Sequence, residues 1–392
     1  MTVNRRNFIK ASSLSVLPAM LPMTELIASG NRNQIPPATE PIIEFYSDGK
    51  MFNTGDYIQR LQEIYTAKAF RRDSYGQGGV VAELEKKFME ITGKEKAIYM
   101  PSGTMANQLA IAVLSGADTK VFVQETSHVF RDEADAAQSV HQKRLIPLAK
   151  GETYFTAAQL EEAVKYIAEE EVFKSGLGCV SIENPVRRTE ERMVPIDEIK
   201  KISEYCRKNN LRMHLDGARI YMASAWSGVS VKEYASYFDT IYISLYKYLG
   251  AGGGAMLCGP ASVIDKMPHL IKIHGGNMYS NWTNAAMALD RLEGIEQRLK
   301  DTIARVNALI AALAKLQGIK LAPLPGGTNA YKMSLDKSID GKSMSEKLGK
   351  DFKIYLPTPD EKNELFVTVN ETLLNRELDY VVNAFKVASA RK

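Results

Sequence analysis

The sequence predicts an α/β protein: a three-layer α/β/α large domain with a mostly parallel sheet, followed by a small α+β C-terminal domain. From about residue 42 onward, apolar strand-like runs alternate with amphipathic helical patterns at the spacing of βαβ units. The 392 residues are also enough for two domains and a large core. The expected strands are 97–100, 121–124, 178–182, 211–215, 239–244 and 254–258, and the expected helices are 80–92, 104–115, 156–170 and 195–210.

A change of pattern after Gly276 indicates the second domain. Residues 281–316 have the pattern of one long helix, and a final helix is expected near 372–389. The short strands expected between them are 329–334, 353–356 and 364–369. We therefore expect a large domain over 46–285 and a small domain over 286–392, with a linker over 31–45 before them.

Residues 1–30 resemble a twin-arginine export signal. Arg5 and Arg6 are followed by Phe8, by a weakly apolar stretch over 11–27, and by small residues. This order predicts export to the periplasm; the alternative is a cytoplasmic protein whose chain begins with a basic helix. Two prolines interrupt the apolar stretch, so we do not expect it to span a membrane.

The composition narrows the classes of partner. The net charge of +4 is small and dispersed, which does not favour a nucleic-acid-binding protein. Cys179, Cys206 and Cys258 lie far apart in the sequence, so neither a disulfide framework nor a Cys/His metal site is expected. We therefore predict a small-molecule partner and no metal.

Two charged residues follow apolar runs that have the character of buried strands. Asp216 lies in His-Leu-Asp-Gly-Ala-Arg at 214–219, and Lys247 lies in Ser-Leu-Tyr-Lys-Tyr-Leu-Gly at 244–250. In a parallel sheet, ligands bind at the carboxyl ends of the strands. A carboxylate that keeps a pyridine nitrogen protonated and an amine that forms a Schiff base are what pyridoxal 5′-phosphate chemistry requires. Taken singly, Asp216 could be a helix cap and Lys247 a surface residue.

Two further segments support a cofactor site. Ser102, Gly103 and Thr104 follow an apolar run and open a helix, where free backbone N–H groups and hydroxyls can bind a phosphate. The alternative is simple capping of that helix. His128 follows another apolar run and could stack on a cofactor ring or move a proton, although a single histidine at a strand end can also be structural.

In this order, these segments resemble the threonine aldolase and aromatic amino acid β-eliminating lyase family of fold-type-I pyridoxal phosphate enzymes. The resemblance covers roughly residues 44–300 and is looser beyond them. His-Leu-Asp-Gly-Ala-Arg is its most specific element. The other matching stretches are Tyr46 to Asp48, Asp73 to Gly76, Pro101 to Met105, Ser127-His128 with Glu133, Ile182 to Asn184, Ser244 to Gly250, and Gly275 to Met278.

The resemblance implies a role for each matching residue. Lys247 would form the Schiff base, Asp216 would bind the pyridine nitrogen, and His128 would stack on the ring. The phosphate would be bound by Ser102, Gly103 and Thr104. The substrate carboxylate or the phenolic oxygen of the cofactor would be bound by Ser47 and Arg219. The family also implies a homodimer or homotetramer with shared active sites, in which Tyr75 and the loop at 272–280 could contribute across the interface.

Three departures from the family pattern lie near the expected substrate. Pro185-Val186 stands where the family has Thr-His, so a histidine that handles the substrate hydroxyl is missing. Tyr279 replaces an arginine, and the segment 365–370 lacks another arginine that would bind the substrate carboxylate. We hypothesise that Arg187 or Arg188 supplies this charge instead.

The expected function is therefore that of an amino-acid lyase which cleaves a β-hydroxy amino acid to glycine and an aldehyde. One alternative is β-elimination from an aromatic or other β-substituted amino acid, as in tryptophanase and tyrosine phenol-lyase. A second alternative is a protein that binds pyridoxal phosphate without turnover.

Overall fold

Seven strands form the central sheet of the computed structural model, which describes residues 40–390. Along the sheet the strands follow the order β2-β8-β7-β6-β5-β3-β4. All neighbours are parallel except β8, which runs antiparallel to β2 and to β7. The strands are β2 (Lys96–Met100), β3 (Lys120–Gln124), β4 (Arg144–Leu148), β5 (Leu177–Glu183), β6 (Arg212–Asp216), β7 (Thr240–Ser244) and β8 (Ala255–Gly259).

Helices bury both faces of this sheet. Side chains alternate across a strand, and in β3 Phe122 joins one hydrophobic core while Val121 and Val123 join another. The predicted α/β/α architecture is therefore confirmed. The helices of this part are α1 (Thr54–Ala67), α2 (Gly79–Thr92), α3 (Gly103–Ser115), α4 (His128–Arg131), α5 (Ala136–His141), α6 (Ala157–Glu170), α7 (Ile196–Lys208), α8 (Ile220–Ser227), α9 (Val231–Ser236), α10 (Ala261–Ile264), α11 (Met267–Ile273) and α12 (Trp282–Leu292).

A second hydrophobic core lies in the C-terminal α+β part. It contains an antiparallel sheet of order β12-β10-β9, and a short parallel pair that joins β1 to β11. The strands are β1 (Ile43–Glu44), β9 (Ile319–Pro323), β10 (Ala330–Leu335), β11 (Ile354–Tyr355) and β12 (Glu364–Thr368), and the helices are α13 (Ile295–Leu313), α14 (Gly341–Phe352) and α15 (Leu378–Ser389). The boundary near residue 285 stays a prediction.

The expectation of one helix over 281–316 is wrong. The segment forms α12 and α13, which are separated at Gly294. Gly294 has a φ of +67°, a left-handed conformation that glycine adopts without the steric cost of a Cβ. The elements that were not predicted are strands β1, β4 and β9 and helices α1, α4, α5, α8 to α11 and α14. The last helix begins at Leu378 after a 3₁₀ turn over Glu371–Asn375.

The predicted export signal over 1–30 lies outside the described residues, and so does most of the predicted linker. Within residues 40–390, no helix has both the length and the apolar character needed to cross a membrane.

Candidate active site

The carboxyl ends of β2, β5, β6 and β7 meet at one edge of the sheet, where a cavity of about 340 Å³ opens. Because β8 runs in the opposite direction, it contributes the loop before its first residue to the same edge. The residues lining the cavity are Pro101, Ser102, Gly103, Thr104, His128, Glu133, Glu183, Asp216, Ala218, Tyr242, Tyr246, Lys247 and Gly252 to Gly254. Six residues selected from the sequence thus come together here: Ser102, Gly103, Thr104, His128, Asp216 and Lys247.

Asp216 ends β6, and hydrogen bonds fix its carboxylate in place. Asn107 donates through Nδ2 to Asp216 Oδ2 (2.8 Å), and the backbone N–H of Ala218 donates to Oδ1 (3.1 Å). The Asn107 amide oxygen is 2.9 Å from His214 Nε2. Burial lowers the pKa of His214 to about 4, so this ring is neutral and bonds Asn107 through an N–H. Both Asp216 oxygens therefore accept hydrogen bonds, as an ionised carboxylate does.

Lys247 lies three residues beyond β7 and is only 6% exposed. Burial lowers the pKa of its ammonium group, and the nearby positive charge of Arg219 lowers it further. The next residue, Tyr248, has a φ of +65°, which is strained for a residue with a side chain. Its N–H donates to the Asp48 carbonyl (2.8 Å), and its hydroxyl accepts from Asn329 Nδ2 (3.1 Å). These bonds hold the backbone beside Lys247 in one conformation.

The N-terminus of α3 forms another wall of the cavity. Ser102 caps this helix by accepting from the Met105 N–H (3.2 Å), so its hydroxyl already has a structural role. Gly103 is the first residue of α3, and a Cβ at this position would collide with the hydroxyl of Tyr242. A glycine is therefore required for the tyrosine to reach the helix end. The first N–H groups of an α-helix have no partner within the helix and favour anions.

His128 is oriented by two carboxylates. Its Nδ1 lies 2.9 Å from Glu133 Oε1, and its backbone N–H donates to Glu183 Oε2 (2.7 Å). The bond to Glu133 raises the pKa of His128 because it favours the charged ring. Asn107 also donates to Glu133 Oε1 (2.7 Å), which links His128 to the network around Asp216. Nε2 is thus the ring nitrogen that remains available for a ligand.

Glu183 should make stability depend on pH. Burial raises the pKa of its carboxyl group from 4.5 to about 7, so between these values the folded state binds a proton that the unfolded state has released. The free energy of unfolding of the wild type should therefore fall, relative to Glu183→Gln, as the pH rises from 4.5 to 7, by on the order of a few kcal/mol.

Urea unfolding of both proteins at several pH values would measure this difference. The loss of a carboxylate acceptor in the variant shifts this difference by the same amount at every pH and does not change its dependence on pH. Above about pH 8 the difference in the free energy of unfolding should no longer change with pH. A difference that does not change between pH 4.5 and 7 would contradict the prediction.

Ser47 and Arg219 are connected through Asp48, the residue after Ser47, although neither Ser47 nor Arg219 is among the described residues that line the cavity. Arg219 is buried and donates through Nε and Nη2 to the two oxygens of Asp48, at 2.7 and 2.9 Å. Its Nε also lies 3.3 Å from Glu191 Oε1. Ser47 donates to the Gly49 carbonyl (3.0 Å). The guanidinium group is thus engaged by two carboxylates, and the assignment of Arg219 and Ser47 to a substrate stays a prediction.

Tyr75 lies away from this cavity, on the surface. Its ring contacts Tyr279 edge-on with centroids 5.4 Å apart, and both side chains are more than half exposed. Arg187 and Arg188 share the carboxylate of Asp132, to whose Oδ2 they donate at 2.7 and 2.9 Å. These bonds hold the pKa of Asp132 well below its usual range. The hypothesis that one of the two arginines binds a substrate carboxylate stays a prediction.

Sequence reasoning missed several residues of the site. Asn107 is a fully buried polar residue on the packed side of α3, three residues after Thr104, and this pattern could have been noticed. Tyr242 could have been found from its position five residues before Lys247, although nothing in the sequence shows that it faces α3. Glu133, Glu183 and Tyr246 also line the cavity; they lie in stretches that match the family, but no role was predicted for them.

Comparison with known proteins places the chain in a family. The chain is 35% identical over 235 residues to the low-specificity L-threonine aldolase of Candida albicans, which covers 59% of this chain and 62% of that protein. It spans about three fifths of the length of the first curated relatives that it matches.

Solved structures share the fold. A crystal structure from Exiguobacterium sp. 255-15 has a TM-score of 0.73 at 22% identity and covers 89% of this chain and 98% of the other. The threonine aldolase of Leishmania major has a TM-score of 0.67 at 19% identity, with coverage of 88% and 98%. The profile of the beta-eliminating lyase family matches residues 62–334. The chain therefore belongs to the beta-eliminating lyase family, as the sequence motifs predicted.

Proposed function

We propose that this protein is a pyridoxal phosphate-dependent lyase that cleaves a β-hydroxy amino acid to glycine and an aldehyde. The observation that carries the proposal is that a buried carboxylate, Asp216, and a buried amine, Lys247, line one cavity. The match to the threonine aldolase of Candida albicans supports this choice among the reactions of the family.

The residues of the cavity fit the three chemically different parts of the cofactor. Asp216 accepts hydrogen bonds at both oxygens and suits a protonated pyridine nitrogen. The free N–H groups at the start of α3 suit a phosphate, and the absence of a Cβ at Gly103 keeps this end open to Tyr242. Lys247 would hold the aldehyde end through Nζ.

Pyridoxal phosphate supplies, when bound, an aldehyde that condenses with amines and a ring that withdraws electrons from bonds at Cα. Lys247 must lose its proton before its nitrogen can react. Burial and Arg219 lower its pKa and so increase the fraction of free amine at neutral pH. Asp216 contributes by keeping the ring nitrogen protonated.

The β-hydroxyl of a substrate needs a group that removes its proton. Val186 stands where the family histidine is expected, and it is fully buried. Among the described residues that line the cavity, His128 can act as this base, because its Nδ1 bonds Glu133 and its Nε2 remains available. The raised pKa of His128 keeps the ring charged to higher pH, and a charged ring cannot accept a proton. Proton removal by Nε2 should therefore accelerate as the pH rises through the pKa of His128.

One experiment separates the proposal from its alternatives. The purified protein is loaded with pyridoxal phosphate, its visible spectrum is recorded, and the products formed from threonine, serine and tryptophan are assayed. An aldehyde and glycine without ammonia would support aldol cleavage. Formation of a keto acid and ammonia would contradict aldol cleavage and indicate β-elimination. A visible band without any product would indicate binding without turnover, and the absence of a band would contradict the cofactor assignment.

We also propose a homo-oligomer and export by the twin-arginine route. The exposed pair Tyr75 and Tyr279 lies in segments that the family resemblance assigns to a subunit interface. Export is supported by the Arg5-Arg6 pair and the residues after it.

Substitution of both arginines by lysine, in Arg5→Lys/Arg6→Lys, should stop export, because the signal is read by its paired arginines and not by charge alone. Cell fractionation should then find the variant in the cytoplasm. Its amount in the periplasm should fall by roughly tenfold or more relative to the wild type. An Arg60→Lys variant is a suitable control, because Arg60 lies in helix α1, outside the predicted signal over 1–30. Equal periplasmic amounts of wild type and double variant would refute the export proposal.

A further inference from the structure

We propose that the hydroxyl group of Tyr242 binds the phosphate of the cofactor, together with the N-terminus of α3. This inference rests on the proposed function, since it concerns the same cavity and the same cofactor. It assigns to Tyr242 a binding role that the motifs of the sequence do not indicate.

The first argument is the position of Tyr242. This residue lies in β7, five residues before Lys247, and its side chain is 3% exposed. The residues that line the cavity with it include Ser102, Gly103 and Thr104, the start of α3. The hydroxyl approaches Gly103 so closely that any side chain there would collide with it. A phenolic O–H is thus brought to the helix end where the first N–H groups are free.

The second argument is the direction in which this hydroxyl can bond. Burial and the neighbouring carboxylate of Asp216 raise the pKa of Tyr242 well above its usual value, so the hydroxyl keeps its proton and acts as a donor. The Tyr242 hydroxyl on the strand and the first N–H groups of α3 therefore lie at the same end of the cavity.

The third argument is that the groups which would bind the pyridine nitrogen, at the other end of the cavity, are already accounted for. Asp216 serves the ring nitrogen, and its own partners are Asn107 and Ala218. A dianionic phosphate, in contrast, needs several donors, because each of its oxygens accepts more than one hydrogen bond. The Ser102 hydroxyl accepts the Met105 N–H and has only one O–H left to donate, so the Tyr242 hydroxyl would add a donor for the remaining phosphate oxygens.

The test compares pyridoxal phosphate with pyridoxal, which lacks the phosphate, in wild type and in Tyr242→Phe. Dissociation constants are measured by equilibrium dialysis. The substitution should weaken pyridoxal phosphate binding by about ten- to a hundredfold, the range for a hydrogen bond to a charged group, and leave pyridoxal binding within about twofold. The matched control is Tyr221→Phe, since the buried Tyr221 hydroxyl has no hydrogen-bond partner among residues 40–390 and lies outside the cavity. It should change neither constant.

Each outcome is informative. Selective loss of pyridoxal phosphate affinity, with an unchanged melting temperature of the cofactor-free variant, supports the inference. Equal loss for both compounds would place Tyr242 at the ring and overturn the phosphate assignment, and no loss would overturn it as well. If the wild type binds neither compound, the proposed function itself fails, which is a different result from failure of the tyrosine assignment alone.

Discussion

Replacement of Lys247 by alanine should abolish the visible band of the loaded protein and reduce kcat by on the order of 10⁴-fold or more. The physical reason is that Lys247 is the amine whose pKa burial and Arg219 lower, in a cavity that also holds Asp216. Lys247→Arg should not restore activity, because a guanidinium group keeps its proton and cannot act as a nucleophile. Absorption spectroscopy and steady-state assays of aldehyde formation would measure both effects.

A surface lysine provides the control for this change. Lys165 lies on α6 and pairs with Glu161 at the surface, so Lys165→Ala should keep the visible band and the activity of the wild type. The fold of Lys247→Ala is checked by its melting temperature, which should not fall because removing the amine removes a buried cation. A Lys247→Ala protein that retained the wild-type band and turnover would exclude this residue from the chemistry.

Replacement of Asp216 by asparagine should lower kcat/KM by about 10²- to 10⁴-fold, the range for a group that controls a proton in the reaction. The amide has nearly the shape of the carboxylate but carries no charge, so it cannot keep the ring nitrogen protonated. In either orientation of the amide, its NH₂ group faces a donor, which is Asn107 Nδ2 or the Ala218 N–H. We therefore expect in addition a loss of about 1–3 kcal/mol in the free energy of unfolding.

The two effects of Asp216→Asn are separable. The loss of stability is measured on the cofactor-free protein by urea unfolding, and the loss of activity is measured at saturating cofactor, well below the melting temperature. Asp239→Asn is the matched control. Asp239 lies just before β7, at the opposite edge of the sheet from the cavity, and accepts a hydrogen bond from the Met213 N–H at 2.7 Å. It should lower stability without lowering kcat/KM of the folded fraction. If both variants lost activity only in proportion to stability, Asp216 would have a structural role.

The regular elements of the large domain could be predicted because their causes are local. Strand β7, whose five residues are all buried and are apolar at Ile241, Tyr242 and Ile243, has the pattern of a strand at the centre of a sheet. The helices α2, α3, α6 and α7 each bury one side and follow recognisable caps or turns. The elements that were missed depend on distant partners. β1, for example, has two residues and exists because it pairs with β11, more than 300 positions away.

The chemical types of the site residues could be identified from the order of amino acids alone. Asp216, Lys247, His128 and Gly103 could each be selected because a charged, ionisable or Cβ-free residue after an apolar run needs an explanation. Which of these groups meet, and what surrounds them, depends on the folded chain. It brings Asn107 to Asp216, and it engages Arg219 with Asp48 and Glu191.

The physical reason for this division is that burial and hydrogen bonding between segments are properties of the folded chain. Strand periodicity indicates where a strand ends, but it does not show how close the next helix approaches. The contact between Tyr242 and Gly103 joins residues 139 positions apart and depends on the packing of α3 against β7. The residue types therefore indicate the cofactor, while the packing between elements decides which side chains can bind it.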